Sequence, residues 1–211
     1  MIYKRRIILF VSILIIIMSV NILLANEKSK TVYFGSVGIE SGGGDVSDEI
    51  ELIIYEDVDA VPLGGGVYLK FGVSTPIYKQ IEGQFSFGYL FNAGTEEKKY
   101  VYLAVPFELL GFYKIKNHRF GCGGMYHCWP HVSDVQYQGN GYGGADYRSR
   151  EGDLAFENSL GLVMQYDYTL RYMTGGLRLG LRYTIIDFQS KDFDKTIDGS
   201  GFGFELCILF N

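Results

Sequence analysis

Beyond residue 30 the chain alternates between apolar and polar positions with a period of two, which is the pattern of a β-strand with two unlike faces. Eight segments show it, with predicted boundaries at 31–39, 66–75, 81–91, 100–115, 119–131, 154–168, 173–188 and 201–210. Strands of this length exceed the ~5–6 residues of an ordinary strand and reach the ~9–11 residues that cross a bilayer at a tilt.

The connections between these segments alternate in length. Those at 76–80, 116–118 and 169–172 are short, whereas those at 40–65, 92–99, 132–153 and 189–200 are longer and polar. In an up-and-down order with an even number of strands, all short turns fall on one side and both chain ends lie there too. The pattern therefore predicts an all-β protein, an eight-stranded antiparallel up-and-down transmembrane β-barrel.

Alternation alone does not say which face is inside. In the last strand Phe202, Phe204 and Leu206 share one face, and Gly203 and Glu205 share the other. A soluble periplasmic lipocalin-like barrel would turn the apolar face inward, and a membrane barrel turns it outward against lipid. Three features favour the membrane barrel. Aromatic residues lie near the strand ends, the other face mixes glycine with both signs of charge, and the N-terminal sequence described below predicts export.

Eight strands enclose an interior just wide enough for side chains to fill. In the predicted register eleven ionisable residues point into it: Lys70, Glu82, Glu108, Lys114, Arg119, His127, Glu157, Asp167, Arg178, Arg182 and Glu205. Buried charges must be paired or hydrated, so we expect a salt-bridge network that plugs the lumen. A narrow water or ion path is the alternative, and a pore wide enough for sugars is not expected.

The N-terminus reads M-I-Y-K-R-R and continues into an apolar stretch up to Ala25. A basic start before an apolar stretch predicts a secretory signal peptide at 1–25 and a single barrel domain at 26–211. An uncleaved membrane anchor is the alternative. Cleavage removes three cations and no anion, so the net charge falls from −5 to −8. An acidic exported chain is a poor nucleic-acid binder.

Two stretches carry a family resemblance. The C-terminal G-L-R-L-G-L-R-Y-T-I-I-D-F and D-G-S-G-F-G-F-E-L-C-I-L-F, and the central P-F-E-L-L-G-F-Y-K-I-K-N-H-R-F-G-C-G-G-M-Y-H, resemble hairpins of the small bacterial outer-membrane β-barrels, the OmpA/OmpX-like porin-family proteins. The resemblance implies a location in the cell outer membrane, contact with its lipids and lipopolysaccharide, and insertion by the barrel assembly machinery. Members anchor membranes, mediate adhesion or resist host defences, and a few modify lipids. It implies a structural or surface-interaction role through extracellular loops, without enzyme activity or cofactor.

The first long connection is acidic. It holds eight carboxylates and no Lys or Arg between them: Glu40, Asp45, Asp48, Glu49, Glu51, Glu56, Asp57 and Asp59. Clustered carboxylates suit divalent cations such as Ca²⁺, but the spacing lacks the calcium-loop pattern. A solvated loop is therefore the favoured interpretation, with divalent cations or host and surface ligands as candidate partners. The glycine- and tyrosine-rich connection at 132–153 suits adaptable contacts.

The segment 126–131 contains two histidines and a cysteine. In a regular strand His127 and His131 share a face about 13 Å apart, which is too far for one metal ion, and His127 and Cys128 point to opposite faces. No metal site is predicted. Cys122 and Cys128 lie about 20 Å apart on one strand and Cys207 lies elsewhere, so three free thiols are expected.

One enzyme hypothesis remains as an alternative. The spacing of His131 and Ser133 matches the His-x-Ser of outer-membrane lipid A deacylases, with Glu151, Asp153 or Glu157 as the carboxylate that would orient the histidine. Asp134 stands where that family has asparagine, and its other surrounding motif is not evident. No catalytic residue is therefore assigned from the sequence.

Overall fold

The computed structural model describes residues 31–43, 63–93, 101–138, 149–172, 175–191 and 196–210. The strands in these ranges are β1 (Val32–Gly42), β2 (Gly66–Tyr78), β3 (Ile81–Ala93), β4 (Val101–Ile115), β5 (His118–Gln138), β6 (Ser149–Ala155), β7 (Ser159–Tyr172), β8 (Gly175–Ile185), β9 (Asp187–Gln189), β10 (Thr196–Asp198) and β11 (Gly201–Phe210). In this part of the chain, no helix is long and apolar enough to cross a bilayer.

The strands close into a barrel. Every neighbouring pair is antiparallel, in the order β4-β3-β2-β1-β11-β8-β7-β5, and β5 pairs back with β4. β6 and β7 both pair with β5 and form one strand position of the barrel, interrupted between Ala155 and Ser159. β9 and β10 form a two-stranded extension that continues beyond β8 and β11. The result is a closed barrel with eight antiparallel strand positions, as the sequence predicts. The first strand, β1, pairs with the last strand, β11, and this pairing helps to close the barrel.

Several predicted boundaries were wrong at the end of the barrel where the long connections lie, the loop end. β5 runs on to Gln138 and pairs there with Ser149 of β6, so part of the predicted connection 132–153 is a hairpin. The predicted strands 154–168 and 173–188 are each interrupted, before Ser159 and at Ile186. Polar composition led to the loop prediction, but a polar hairpin above a barrel forms the same backbone ladder as an apolar one.

The opposite end, the turn end, carries tight turns. Lys79 and Lys116 adopt left-handed backbone conformations with φ of 45° and 56°, which close the β2–β3 and β4–β5 connections. The backbone N–H of Lys114 donates to the Gln80 carbonyl at 2.8 Å and ties one hairpin to the next. The predicted turn at 169–172 is wrong, because β7 continues to Tyr172 through pairing with Gly175.

The two faces of the wall differ as predicted. Leu179 and Phe204 are 46% and 56% exposed on the outside, whereas Arg178 and Glu205 are 6% and 5% exposed inside. This arrangement excludes a lipocalin-like barrel with an apolar-lined lumen and a polar exterior along the described strands. The inside-out assignment made from the sequence is confirmed.

Inward glycines make room for large side chains from neighbouring strands. A Cβ built on Gly38 of β1 would lie 2.2 Å from the Tyr68 ring of β2, and one on Gly121 of β5 would lie 2.4 Å from the Phe112 ring of β4. Each ring therefore occupies the space that a side chain on the neighbouring glycine would fill. This packing explains why a chain rich in both glycine and aromatic residues suits a narrow barrel.

We expect Gly38→Val to lower the free energy of unfolding by about 1–3 kcal/mol, because the added side chain displaces the Tyr68 ring from its place in the lumen. Gly124→Ala is the matched control, since a Cβ there meets nothing within 4 Å. Urea unfolding of both variants in detergent micelles checks the difference. Equal destabilisation by the two changes would contradict this account of the glycines.

Candidate functional site

The lumen contains two ion-pair networks. The first, the turn-side network, begins with Lys114, whose Nζ lies 2.8 Å from Glu82. Glu82 also accepts from Arg119 Nη1 at 3.0 Å, and Arg119 Nη2 lies 2.9 Å from Asp167. Four strands are joined in this way, since Lys114 lies on β4, Glu82 on β3, Arg119 on β5 and Asp167 on β7.

Arg119 is the hub of the turn-side network. Its guanidinium is fully buried, donates further to Gln84 at 2.8 Å and Ser74 at 3.3 Å, and stacks on the Phe112 ring 3.8 Å from the ring centroid. Asp167 in turn accepts from Gln165 at 2.8 Å. Both oxygens of each carboxylate thereby accept from a donor, as a buried ion pair requires.

The second, the central network, lies nearer the loop end. Glu108 bridges Lys70 Nζ at 3.1 Å and Arg182 Nη2 at 2.8 Å. Lys70 also binds Glu205 at 2.8 Å, and Arg182 Nε lies 3.6 Å from Glu40. The five side chains come from β4, β2, β8, β11 and β1, so one polar layer ties most of the circumference together.

Most of the predicted interior charges lie where the sequence placed them. Nine of the eleven are buried: Lys70, Glu82, Glu108, Arg119, His127, Asp167, Arg178, Arg182 and Glu205. Lys114 reaches inward, but its side chain is 38% exposed at the turn end. Glu157 is half-buried and joins neither network, because it falls between β6 and β7, where the strand alternation is broken.

Glu40 was assigned to the wrong environment. The sequence predicts Glu40 at the start of the acidic loop, but β1 continues to Gly42 and Glu40 is buried opposite Arg182. The alternation contains the signal for the buried position of Glu40. Phe34, Ser36 and Glu40 are separated by even numbers of residues, so they share the inward face of β1. The remaining acidic residues predicted for that loop, from Asp45 to Asp59, lie outside the described residues.

An apolar cap, for which the alternation pattern gives no signal, fills the loop end of the lumen. Its fully or almost fully buried members belong to one cluster: Leu63, Tyr102, Val132, Leu154, Phe156, Phe188 and Ile197. Phe188 contacts Tyr102 and Phe156 edge-on, each at 6.3 Å between ring centroids. Tyr102 lies on β4 and Phe188 on β9, so the contact crosses the lumen.

The cap and the two networks together leave no wide passage through the described part of the barrel. We therefore expect no steady conductance for sugar-sized solutes when the purified protein is reconstituted in a planar bilayer. The physical reason is that eight strands already enclose a space that side chains fill. Large, stable single-channel currents would contradict a plugged lumen.

A bulge in β5 changes the faces of the histidine segment. Trp129 has a left-handed φ of 49°, and the register with β4 shifts between Leu103 and Val105. His127 is consequently buried, with its ring 5.5 Å from Phe188, whereas His131 pairs with outward-facing Leu103. The prediction that the two histidines share a face was wrong, because it assumed a regular strand.

The deacylase-like pair makes no catalytic contact. His131 Nδ1 donates to the Trp129 carbonyl at 3.0 Å, and the Ser133 hydroxyl donates to the Val101 carbonyl at 3.5 Å. No hydrogen bond joins His131 to Ser133 among the described contacts, and the Glu151 side chain lies outside them. A serine nucleophile needs that hydrogen bond to its base, so this geometry does not favour the enzyme alternative.

The cysteines behave as predicted. Cys122, Cys128 and Cys207 are free thiols, exposed, half-buried and buried respectively. Within the described ranges no group of three or more His, Cys, Asp or Glu side chains is placed to hold a metal ion.

Comparison with known proteins does not assign a family or a function to the chain. No family model matches the chain, and no curated protein sequence matches it. Among solved structures, it is similar to the crystal structure of Neisserial surface protein A, with a TM-score of 0.48 and 8% sequence identity over 87% of this chain and 99% of that chain. The resemblance to OmpA/OmpX-like proteins therefore stays a prediction, and function has to be inferred from this chain's own residues.

Proposed function

We propose that this protein is an outer-membrane β-barrel that acts at the cell surface through its loop end, with a plugged lumen and no enzyme activity. The observation that carries the proposal is the inversion of the wall, which is apolar outside and ionic inside. Large apolar side chains exposed around a whole cylinder are not stable in water but suit a lipid environment.

The band of outward apolar side chains is as tall as the apolar band of known membrane barrels. On β3 the outward residues run from Ile81 to Phe91, a distance of ten residues along the strand. Ten steps at ~3.3 Å span about 33 Å along the strand and about 25 Å of vertical height at a tilt near 40°, which matches the apolar band of membrane barrels.

Aromatic residues mark both edges of this band. Tyr33, Tyr78 and Tyr113 are exposed near the turn end, and Tyr89 and Trp129 are exposed near the loop end. Aromatic side chains favour the membrane–water interface because one part of the ring is apolar and another is polar. The proposed partners of this surface are the lipids and lipopolysaccharide of the outer membrane.

The barrel has a direction in the membrane. Short turns face the periplasm and long connections face outward in bacterial outer-membrane barrels, so the turn end is assigned to the periplasm. The predicted signal peptide, residues 1–25, fits export to that compartment but lies outside the described residues. The assembly machinery that inserts such barrels is a further partner of this proposal.

The loop end supports a surface role because it projects. β5 is 21 residues long and continues past the bulge at Trp129, paired with β6 as far as Gln138 and Ser149. β9 and β10 form a second paired extension. A rigid scaffold that holds connections above the membrane is the usual arrangement for recognition by loops.

Membrane insertion is tested by fractionation and gel mobility. We expect the protein to pellet with the outer membrane, to resist urea extraction and to migrate differently unboiled and boiled on a denaturing gel. A protein found in the soluble periplasmic fraction, with identical mobility before and after boiling, would contradict the proposal.

The surface role is tested by shortening the connection between β5 and β6. Because Gln138 pairs with Ser149, residues 139–148 can be replaced by a two-residue Asn-Gly turn that suits a hairpin. Cells carrying this variant are expected to lose self-aggregation and attachment to surfaces while keeping a folded barrel. Lys79→Gly at the turn end is the control. Unchanged attachment, together with bile-salt sensitivity in cells lacking the whole protein, would assign an envelope role instead.

A further inference from the structure

An apolar groove crosses the outer wall of the barrel over the adjacent strands β1, β11, β8 and β7. Its volume is about 560 Å³, which lies within the ~300–1,000 Å³ of ligand pockets. The groove lies between two rows of outward side chains that the strand pairing aligns. The row nearer the turn end runs through Val37, Leu206, Leu179 and Tyr168. The other row lies two residues further along each strand, from Ile39 to Tyr166.

The groove has room for one hydrocarbon chain. Its two rows lie two residues apart, which is about 7 Å at ~3.4 Å per residue. From β1 to β7 it crosses three strand-to-strand intervals, and a fourth interval to β5 brings the length to about 19 Å at ~4.8 Å each. This length is close to the ~15 Å that one leaflet contributes to a ~30 Å hydrocarbon core. The floor is the backbone at Gly38, Glu205 and Gly180, three inward positions that pair in one row.

The groove descends towards the turn end as it passes from β1 to β5. Val37 is the sixth residue of β1, counted from Val32 at the turn end. In the same row, Tyr168 pairs with His118, which is the first residue of β5 at that end. The tilt of strands in a closed barrel produces such a slope. The groove therefore runs from the middle of the wall to the turn-end edge of the apolar band.

Polar groups cluster where the groove reaches this edge. His118 Nδ1 and the Tyr166 hydroxyl oxygen lie 2.9 Å apart in a hydrogen bond. The His118 ring also packs against the Tyr168 ring, with 5.1 Å between the ring centroids. Both tyrosines line the groove, so the histidine lies directly at its turn-side end.

The turn beside this cluster is positively charged. Residues 114–118 read K-I-K-N-H and contain no carboxylate. Lys116 is exposed in this turn. The Asn117 carbonyl accepts from the backbone N–H of Thr169 at 2.8 Å, which ties the turn to β7 beside the groove. A cation at the membrane edge of an apolar groove is complementary to a lipid that carries a negative headgroup.

On the basis of the membrane location proposed above, we propose that the groove is a binding site for one phospholipid with an anionic headgroup, from the leaflet at the turn end. One acyl chain lies between the two rows of side chains, and the phosphate lies beside His118 and Lys116. When the Tyr166 hydroxyl donates to His118 Nδ1, the proton of the neutral ring is on Nε2, which can donate to the phosphate. The Lys116 ammonium supplies the positive charge.

The site is tested by fluorescence quenching in phosphatidylcholine vesicles that contain a minor fraction of a lipid brominated in its acyl chains. The brominated lipid is phosphatidylglycerol in one sample and phosphatidylcholine in the other. In a Trp129→Phe background, Phe204→Trp places the fluorophore in the groove, and Phe87→Trp places it on β3, outside the groove. At Phe204→Trp we expect phosphatidylglycerol to bind about fivefold more strongly than phosphatidylcholine, the effect of about one lysine at a membrane surface. At Phe87→Trp we expect no preference.

Charge variants separate this site from the rest of the lipid-facing surface. Lys116→Gln is expected to remove the preference at Phe204→Trp, and Lys79→Gln, at the exposed turn between β2 and β3, to leave it unchanged. Gel mobility of the unboiled protein confirms that each variant is folded. Equal binding of the two lipids at Phe204→Trp, the same preference at Phe87→Trp, or an undiminished preference in Lys116→Gln would overturn the lipid site and leave the membrane barrel in place. Absence of quenching at both tryptophans by either lipid would contradict the proposed membrane location, and the lipid site with it.

Discussion

Replacing Leu206 by arginine is expected to prevent stable insertion of most of the protein. Leu206 lies outward in the middle of β11, beside Leu179 of β8 and Val37 of β1, which are also outward and apolar. A lipid-facing arginine at the bilayer midplane costs about 2–4 kcal/mol, a large part of the stability of a single domain. The amount of folded, unboiled protein in the outer-membrane fraction measures the loss.

The matched control places the same charge at the edge of the band. Ile81 begins β3 at the turn end and is exposed there. Near the membrane interface the cost of arginine falls to about 0–1 kcal/mol, so Ile81→Arg is expected to insert almost normally. If Leu206→Arg inserted as well as Ile81→Arg, the outer wall would not face lipid.

Replacing Glu108 by leucine is expected to lower the free energy of unfolding by about 3–5 kcal/mol, the effect of removing one partner from a buried charge network. Glu108 neutralises Lys70 and Arg182 and also accepts from the Ser86 hydroxyl at 3.2 Å. Without it, two buried cations share the remaining carboxylates. Urea unfolding in micelles gives the difference from the unchanged protein.

Two further variants show whether charge pairing is the cause. Glu157→Leu changes a half-buried glutamate that belongs to neither network, and its effect is expected to stay below about 1 kcal/mol. Adding Lys70→Met to Glu108→Leu is expected to restore part of the lost stability, because the buried cation that has lost one of its two carboxylate partners is removed. Additive losses in the double variant would show that Glu108 and Lys70 do not stabilise each other.

The wall of the barrel could be predicted from the sequence because period-two alternation fixes which side chains share a face. β11 has the predicted limits, and the assignment of Phe204 outward and Glu205 inward follows from that alternation. The predicted signal peptide and the aromatic residues near the strand ends then favoured a barrel whose apolar face contacts lipid. None of these inferences requires knowledge of contacts between distant strands.

The interior arrangement needed the three-dimensional register. Pairing of Glu108 with Lys70 and Arg182 depends on which positions of β4, β2 and β8 reach the same height, and no local pattern gives that. The bulge at Trp129 was missed because one irregular residue inverts the faces beyond it.

Fluorescence quenching by brominated lipids tests the central claim most directly. Trp129 is the only tryptophan of the chain and is 68% exposed near the loop-end edge of the band. In vesicles we expect it to be quenched most by bromines near the headgroup, and Leu206→Trp in a Trp129→Phe background to be quenched most by bromines near the bilayer centre. An unquenched Leu206→Trp in the folded, vesicle-associated protein would mean that the apolar wall does not lie against lipid, and would contradict the inside-out barrel.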